Sequence, residues 1–183
     1  MTADVLRSYS GTVVLIDNGE ESMFRVDANS LEEYIEFDQT RKAELEKIDS
    51  LIQESAPSLR RYFHRGTPLG EPGMRFKMIG YGRFYYLASS GVAVEWPAVG
   101  VALQKNYISV YFSVAMNDEP VIRRYVGKLG GLRYGQNNFS FIYFDDLNVQ
   151  SVRSLMIEAE RIFLSNPEYQ ASPKTLTDTN NNE

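Results

Sequence analysis

The side chains that could do chemistry in this chain are carboxylates, lysines and tyrosines, because the usual reactive types are nearly missing. There is no cysteine and a single histidine, His64. A thiolate nucleophile, a disulfide and a cysteine-based metal or iron–sulfur site are excluded, and a His-rich metal site or a Ser-His-Asp arrangement is nearly so. Two pairs of acids carry the spacing of a metal site. Glu33 and Glu36, and Glu46 and Asp49, are each three apart, so each pair shares one side of a helix. Hard oxygen ligands of this kind hold iron or another divalent ion. The same acids also suit a solvated helix face.

A second constellation is aromatic. Trp96, Lys105, Tyr107 and Tyr111 fall on or beside strand-like segments with Glu95 and Tyr143. Brought together with Lys77, they would make an amphipathic concavity for a small organic ligand. The alternative is ordinary core packing, since aromatic residues favour strands. Between Pro57 and Leu87 the bases Arg60, Arg61, Arg65, Arg75, Lys77 and Arg83 face Glu71 alone, interleaved with Tyr62, Phe63, Tyr81 and Phe84. Such a patch can stack on bases or anions, but a net charge of −5 and a pI near 5.1 argue against a nucleic-acid binder. A simpler use is pairing with the acidic helical region between Ser30 and Ala56, within the fold or between two copies.

Catalysis finds little footing. Ser109 and Ser113 have no base nearby in the pattern, Gly80-Tyr81-Gly82 falls short of a phosphate loop, and Asp145-Asp146 reads as turn chemistry. His64, set among arginines, glycines and prolines, reads as a surface residue or a local hydrogen bonder. The expectation is a binding domain without enzymatic activity.

The elements that must position these residues are read from period and punctuation. The 183-residue length suits one domain. No apolar run is long enough to cross a membrane, and the start lacks the layout of a secretory leader, so a soluble, cytoplasmic chain is expected. Residues 10–26 read as a β-hairpin turning at Asp17-Asn18-Gly19. Ser30 and Glu33 form a capping box that opens a short helix, and a second helix runs from about Thr40 to Ser55 on Leu45, Ile48, Leu51 and Ile52. Residues 60–73 read as loop.

Beyond that loop the period changes to two. Strands are expected at 74–79 and 83–88, joined by a turn at Gly80-Tyr81-Gly82, then at 96–103, 107–114 and 139–144. Asp118 reads as the N-cap of a short helix, and Asn148 as that of a closing helix carrying Val149, Val152, Leu155, Met156, Ala159, Ile162 and Phe163. The predicted fold is α+β: a two-layer sandwich with an antiparallel sheet of about five strands and helices on one face. The predicted organisation is an N-terminal hairpin extension over 1–29, the α+β domain over 30–165, and a disordered tail over 166–183.

Several stretches within this frame resemble the YdhG-like family, a bacterial domain of unknown function numbered 1801. They are Leu31-Glu32-Glu33-Tyr34-Ile35, Lys77-Met78-Ile79-Gly80-Tyr81-Gly82, Ser90-Gly91 before Trp96, Gln104-Lys105-Asn106-Tyr107-Ile108-Ser109-Val110-Tyr111, and Leu129-Gly130 before Gly135. The resemblance spans roughly 31–163. It implies a two-layer fold, no established catalytic activity and, from one described member, an iron-chaperone role. The chain departs from the family where Val92-Ala93-Val94-Glu95 stands in place of an Arg-Glu-Gly-Asp stretch, and at Gly131 and Gln136, where relatives tend to carry lysines. The function expected is therefore small-ligand or iron binding. The alternative is an interaction module that forms a homodimer or binds a partner through the N-terminal hairpin.

Overall fold

The computed structural model describes residues 24–173. All but the last residues of the expected N-terminal hairpin, and the tail from 174 onward, lie outside the described residues.

Helix α1 spans Leu31–Glu36. Ser30 Oγ accepts from the Glu33 N–H at 3.1 Å, and the Glu33 carboxylate reaches back to the Asn29 N–H at 2.7 Å. This is a capping box drawn out by one residue. Helix α2, Lys42–Ser55, buries Leu45, Ile48, Leu51 and Ile52 at helical spacing. Helix α3, Val149–Ser165, begins at Asn148, whose Oδ1 accepts from the Ser151 N–H at 3.1 Å. Its stripe from Val152 to Phe163 is buried, whereas Val149 is exposed in the first turn.

Among the described residues eight strands follow the first two helices: β1 Arg61–His64, β2 Met78–Leu87, β3 Ala93–Leu103, β4 Ile108–Phe112, β5 Ala115–Met116, β6 Glu119–Pro120, β7 Arg133–Tyr134 and β8 Asn138–Phe141. Six of them form one antiparallel sheet in the order β1-β2-β3-β4-β8-β7, and β5 and β6 make a separate ribbon. The register lines up Ile79, Val101, Val110 and Phe139 across four strands, all fully buried. Tyr81 shares their face and reaches Asp49 of α2, so this is the face the helices cover. The fold is the α+β sheet-and-helix sandwich expected, with six strands in the sheet.

Local punctuation misdirected three boundaries. Gly80-Tyr81-Gly82 is not a turn: β2 runs through it without losing register. Its glycines are required by contact and backbone. A Cβ on Gly80 would stand 2.7 Å from the Tyr62 ring, and Gly82 holds φ +69 with Leu59 packed against it. The true β2–β3 connection is Ala88–Val92, closed by the Ala88 N–H on the Val92 carbonyl at 2.9 Å. Within the expected 60–73 loop, Arg61–His64 pairs with β2 as an edge strand. Asp118 caps no helix. It and Asn117 take positive φ, 62° and 52°, in the two-residue turn of the β5–β6 ribbon, and the helical stretch after it is a 3₁₀ turn over Val121–Tyr125.

One buried carboxylate joins the layers. Asp49, 5% exposed, accepts from the fully buried Tyr81 hydroxyl at 2.6 Å and pairs with Arg61 of β1. Burial, and then the Asp49 charge, push the Tyr81 pKa well up, so the phenol stays a donor. A second tie is the buried Tyr34 hydroxyl, which accepts from the Leu103 N–H at 2.8 Å where β3 ends. The chain stays folded past Ser165. Pro167–Gln170 forms a 3₁₀ turn, and the Tyr169 ring stacks on Phe163 and meets Phe84 edge-on, with centroids 6.0 and 5.0 Å away. No helix among the described residues is long and apolar enough to cross a membrane.

Asp49→Ala leaves the Tyr81 hydroxyl without its acceptor and Arg61 without its counter-charge, and it is expected to cost about 2–4 kcal/mol in urea unfolding. Glu46→Ala, on the exposed side of the same helix, is expected to stay within about 0.5 kcal/mol. Equal costs for the two variants would contradict the role given to Asp49.

Candidate functional site

Trp96 stands on β3 opposite Phe84 of β2, in the stretch where the two strands run on toward the Ala88–Val92 connection. Its indole N–H donates to Ser113 Oγ at 2.6 Å, and the Tyr86 ring meets it edge-to-face at 5.7 Å and 81°. The hydrogen bond fixes the ring plane, and the perpendicular tyrosine braces it. Trp96 is 7% exposed, and what remains open faces a cleft of about 590 Å³. Phe84, Tyr86, Leu87, Phe112 and Val114 supply apolar wall, while Ser113, Asp118, Gln136 and Asn137 supply polar groups. Burial raises the Tyr86 pKa, and Asp118 is the one carboxylate in the lining, with no lysine, arginine or histidine beside it there.

A second cleft, about 760 Å³, opens where the 65–72 loop faces the start of β3. His64, Arg83 and Glu95 meet there. The Arg83 guanidinium lies over the Tyr62 ring, 4.2 Å from its centroid, and its Nε is 3.3 Å from Glu95. His64 is not the surface residue expected. It is 4% exposed, its Nδ1 is 3.7 Å from Glu95, and neither ring nitrogen has a hydrogen-bond partner among the described residues. Desolvation lowers the imidazole pKa. The Glu95 charge opposes that shift without cancelling it, and Arg83 reinforces it. The Tyr62 hydroxyl is likewise buried without a partner, and burial raises its pKa.

The sequence-predicted ligand residues do not converge. Trp96 lines the first cleft, but Lys105 sits nine residues on, roughly 30 Å along the strand and past its other end. Tyr107, beside Lys105, lies under the Arg133 guanidinium at 5.6 Å. Tyr111 packs on Phe76 and accepts weakly from Gln104 at 3.3 Å. Lys77 donates to the Ala28 carbonyl at 2.7 Å, and Tyr143 is exposed.

The four predicted metal ligands are also dispersed. Glu33 serves the α1 cap. Glu36 pairs with Lys42 and accepts from Gln39, contacts that lower its pKa. Glu46 stands 3.8 Å from Lys42, and Asp49 is the buried anchor described above. No three acids or histidines converge on a metal-sized site among the described residues.

Sequence reasoning missed Tyr86, Asp118 and His64. Tyr86 lies on a strand whose course was cut at Gly80-Tyr81-Gly82. Asn117-Asp118 carried a hairpin-turn signature that was read as a helix cap. For His64, the two strand-favouring aromatics before it, Tyr62 and Phe63, were the available signal of an edge strand. Comparison with protein-family models, with curated proteins and with solved structures finds no match to this chain.

Because the folded pKa of His64 lies below its unfolded value of about 6.5, the unfolded chain binds the extra proton more readily. The stability associated with the neutral imidazole is complete above that unfolded pKa and is lost as pH falls below it. As pH falls below about 6.5 the unfolding free energy is expected to drop with a slope of up to about 1.4 kcal/mol per pH unit. His64→Gln is expected to flatten that slope in urea titrations at several pH values. An unchanged slope would place the titrating group elsewhere.

Proposed function

We propose that this chain is a non-enzymatic binding domain of the YdhG-like type, whose cargo is a small organic molecule held in the Trp96 cleft. The observation that carries this reading is the fixed indole. The indole is held in one orientation by Ser113 and Tyr86, and the small part of it that stays open borders a cleft of about 590 Å³. That size falls within the range of roughly 300–1,000 Å³ usual for small-molecule sites, and an apolar wall with a few polar groups is their usual composition. A site arranged before the ligand arrives loses less entropy on binding.

The absence of catalysis is argued from the same residues. Ser113, the hydroxyl nearest to hand, is already the acceptor of the indole N–H. The organic ligand is favoured over iron because each of the four acids is already engaged within the protein: Glu33 caps α1, Glu36 and Glu46 share Lys42, and Asp49 is paired with Arg61. The family reading rests on the 77–82, 104–111 and 129–130 stretches of the sequence.

Trp96 is the sole tryptophan, so its emission reports on this cleft alone. Titration with a panel of fragment-sized aromatic compounds, followed by Trp96 fluorescence and calorimetry, is expected to yield saturable binders. Ala115 also lines the cleft. Ala115→Phe fills it, and is expected to abolish those signals while the far-ultraviolet circular dichroism is retained. A panel that gives no saturable change, or binding that survives Ala115→Phe, would remove the reading.

A further inference from the structure

The charge and the ring geometry of the Trp96 cleft define a ligand class. The geometry points to a cationic ligand, an organic ammonium carried on an apolar or aromatic body, with Asp118 as its counter-ion and the Trp96 and Tyr86 rings as walls. This rests on the assignment of the cleft as the binding site and adds what it selects.

Asp118 is the only acidic or basic side chain in the lining, and among the described residues no base pairs with it. Its backbone is committed to that position. Residues 117 and 118 both take positive φ in a two-residue turn, held by the Ala115–Pro120 and Met116–Glu119 pairs on either side. A left-handed conformation at both central residues matches the strand twist and suits Asn and Asp better than other side chains. The ribbon therefore presents a carboxylate to the cleft without a helix or a lysine to neutralise it.

The rings supply the second half of the recognition. Trp96 and Tyr86 both line the cleft and meet edge-to-face at 81°. An ammonium over an aromatic face is attracted by the ring quadrupole, most strongly for tryptophan, and perpendicular aromatic walls are how such cations are enclosed. The indole N–H is occupied by Ser113, which leaves no exposed indole donor to favour an anion. Gln136 and Asn137 offer amide oxygens to the remaining ammonium protons. A carboxylate ligand would instead meet Asp118 and lose affinity through like charge.

Three probes of one shape separate the classes: phenethylamine, 2-phenylethanol and phenylacetate, titrated at neutral pH and low salt with Trp96 emission and calorimetry as readouts. Phenethylamine is expected to bind roughly tenfold more tightly than the alcohol, with phenylacetate weakest. Added salt is expected to narrow the gap, since Asp118 is exposed. Asp118→Asn keeps the turn, because asparagine accepts a left-handed backbone. It is expected to bring the amine within about threefold of the alcohol while the alcohol's affinity is unchanged. Glu119→Gln, one residue away and outside the cleft lining, is expected to change neither. Equal binding of amine and alcohol, or an amine preference that survives Asp118→Asn, overturns the cationic class and leaves the cleft as a binding site. Silence from all three probes and from the aromatic panel overturns both.

Discussion

The fold turns on a carboxylate that has been taken out of water and given two partners. Asp49 holds the Tyr81 hydroxyl of the second strand and the Arg61 guanidinium of the edge strand, so one residue of α2 sets where the helix sits on two strands. A buried ion pair is a poor source of net stability, because desolvation offsets much of the attraction. What it does well is penalise every arrangement in which one partner is missing. A one-residue slip of β2 would turn Tyr81 to the other face of the sheet and strand Asp49 in the core. The Tyr34 hydroxyl on the Leu103 N–H does the same at the end of β3.

The two clefts inherit their geometry from that register. With Tyr81 fixed, Gly80 lies beneath Tyr62, and the ring of Tyr62 in turn carries Arg83, which reaches Glu95 across the β2–β3 pair. Gly82, with its positive φ, is followed by Phe84 meeting Tyr169 and by Tyr86 meeting Trp96. The same strand therefore serves a polar cleft with a buried histidine and an aromatic cleft with a lone carboxylate. The 3₁₀ turn over Pro167–Gln170 belongs to this arrangement too, since the Tyr169 hydroxyl accepts from the Ala115 N–H at 3.0 Å and so ties the chain's end to the ribbon that carries Asp118.

Charge in this molecule illustrates how little a count of acids says about a site. The acidic stretch on α1 and α2 and the basic stretch after it do pair within the fold, at Asp49 with Arg61. Most of the remaining acids on those helices do local work: a cap at Glu33, the Glu36–Lys42 pair, and a turn at Asp38 closed by Thr40 and Arg41. Asp118 differs because its surroundings are aromatic and its backbone is held by a two-residue turn.

By itself the sequence determined what periodicity and end chemistry can determine: the three helices, the Ser30 and Asn148 caps, a strand within 107–114, and the α+β class. These are local properties, set within a few residues by backbone hydrogen bonding and by which side chains avoid water. Only tertiary structure decided what the glycines at 80 and 82 are for, since a close approach by Tyr62 or Leu59 comes from residues about twenty positions away. It also decided that His64 is buried, that Asp49 is buried against Tyr81 and Arg61, and that Trp96 shares a cleft with Tyr86 and Asp118 instead of Lys105 and Tyr111. Strand pairing places residues by register, not by spacing, and nine positions along one extended strand carry two side chains to opposite ends of a sheet.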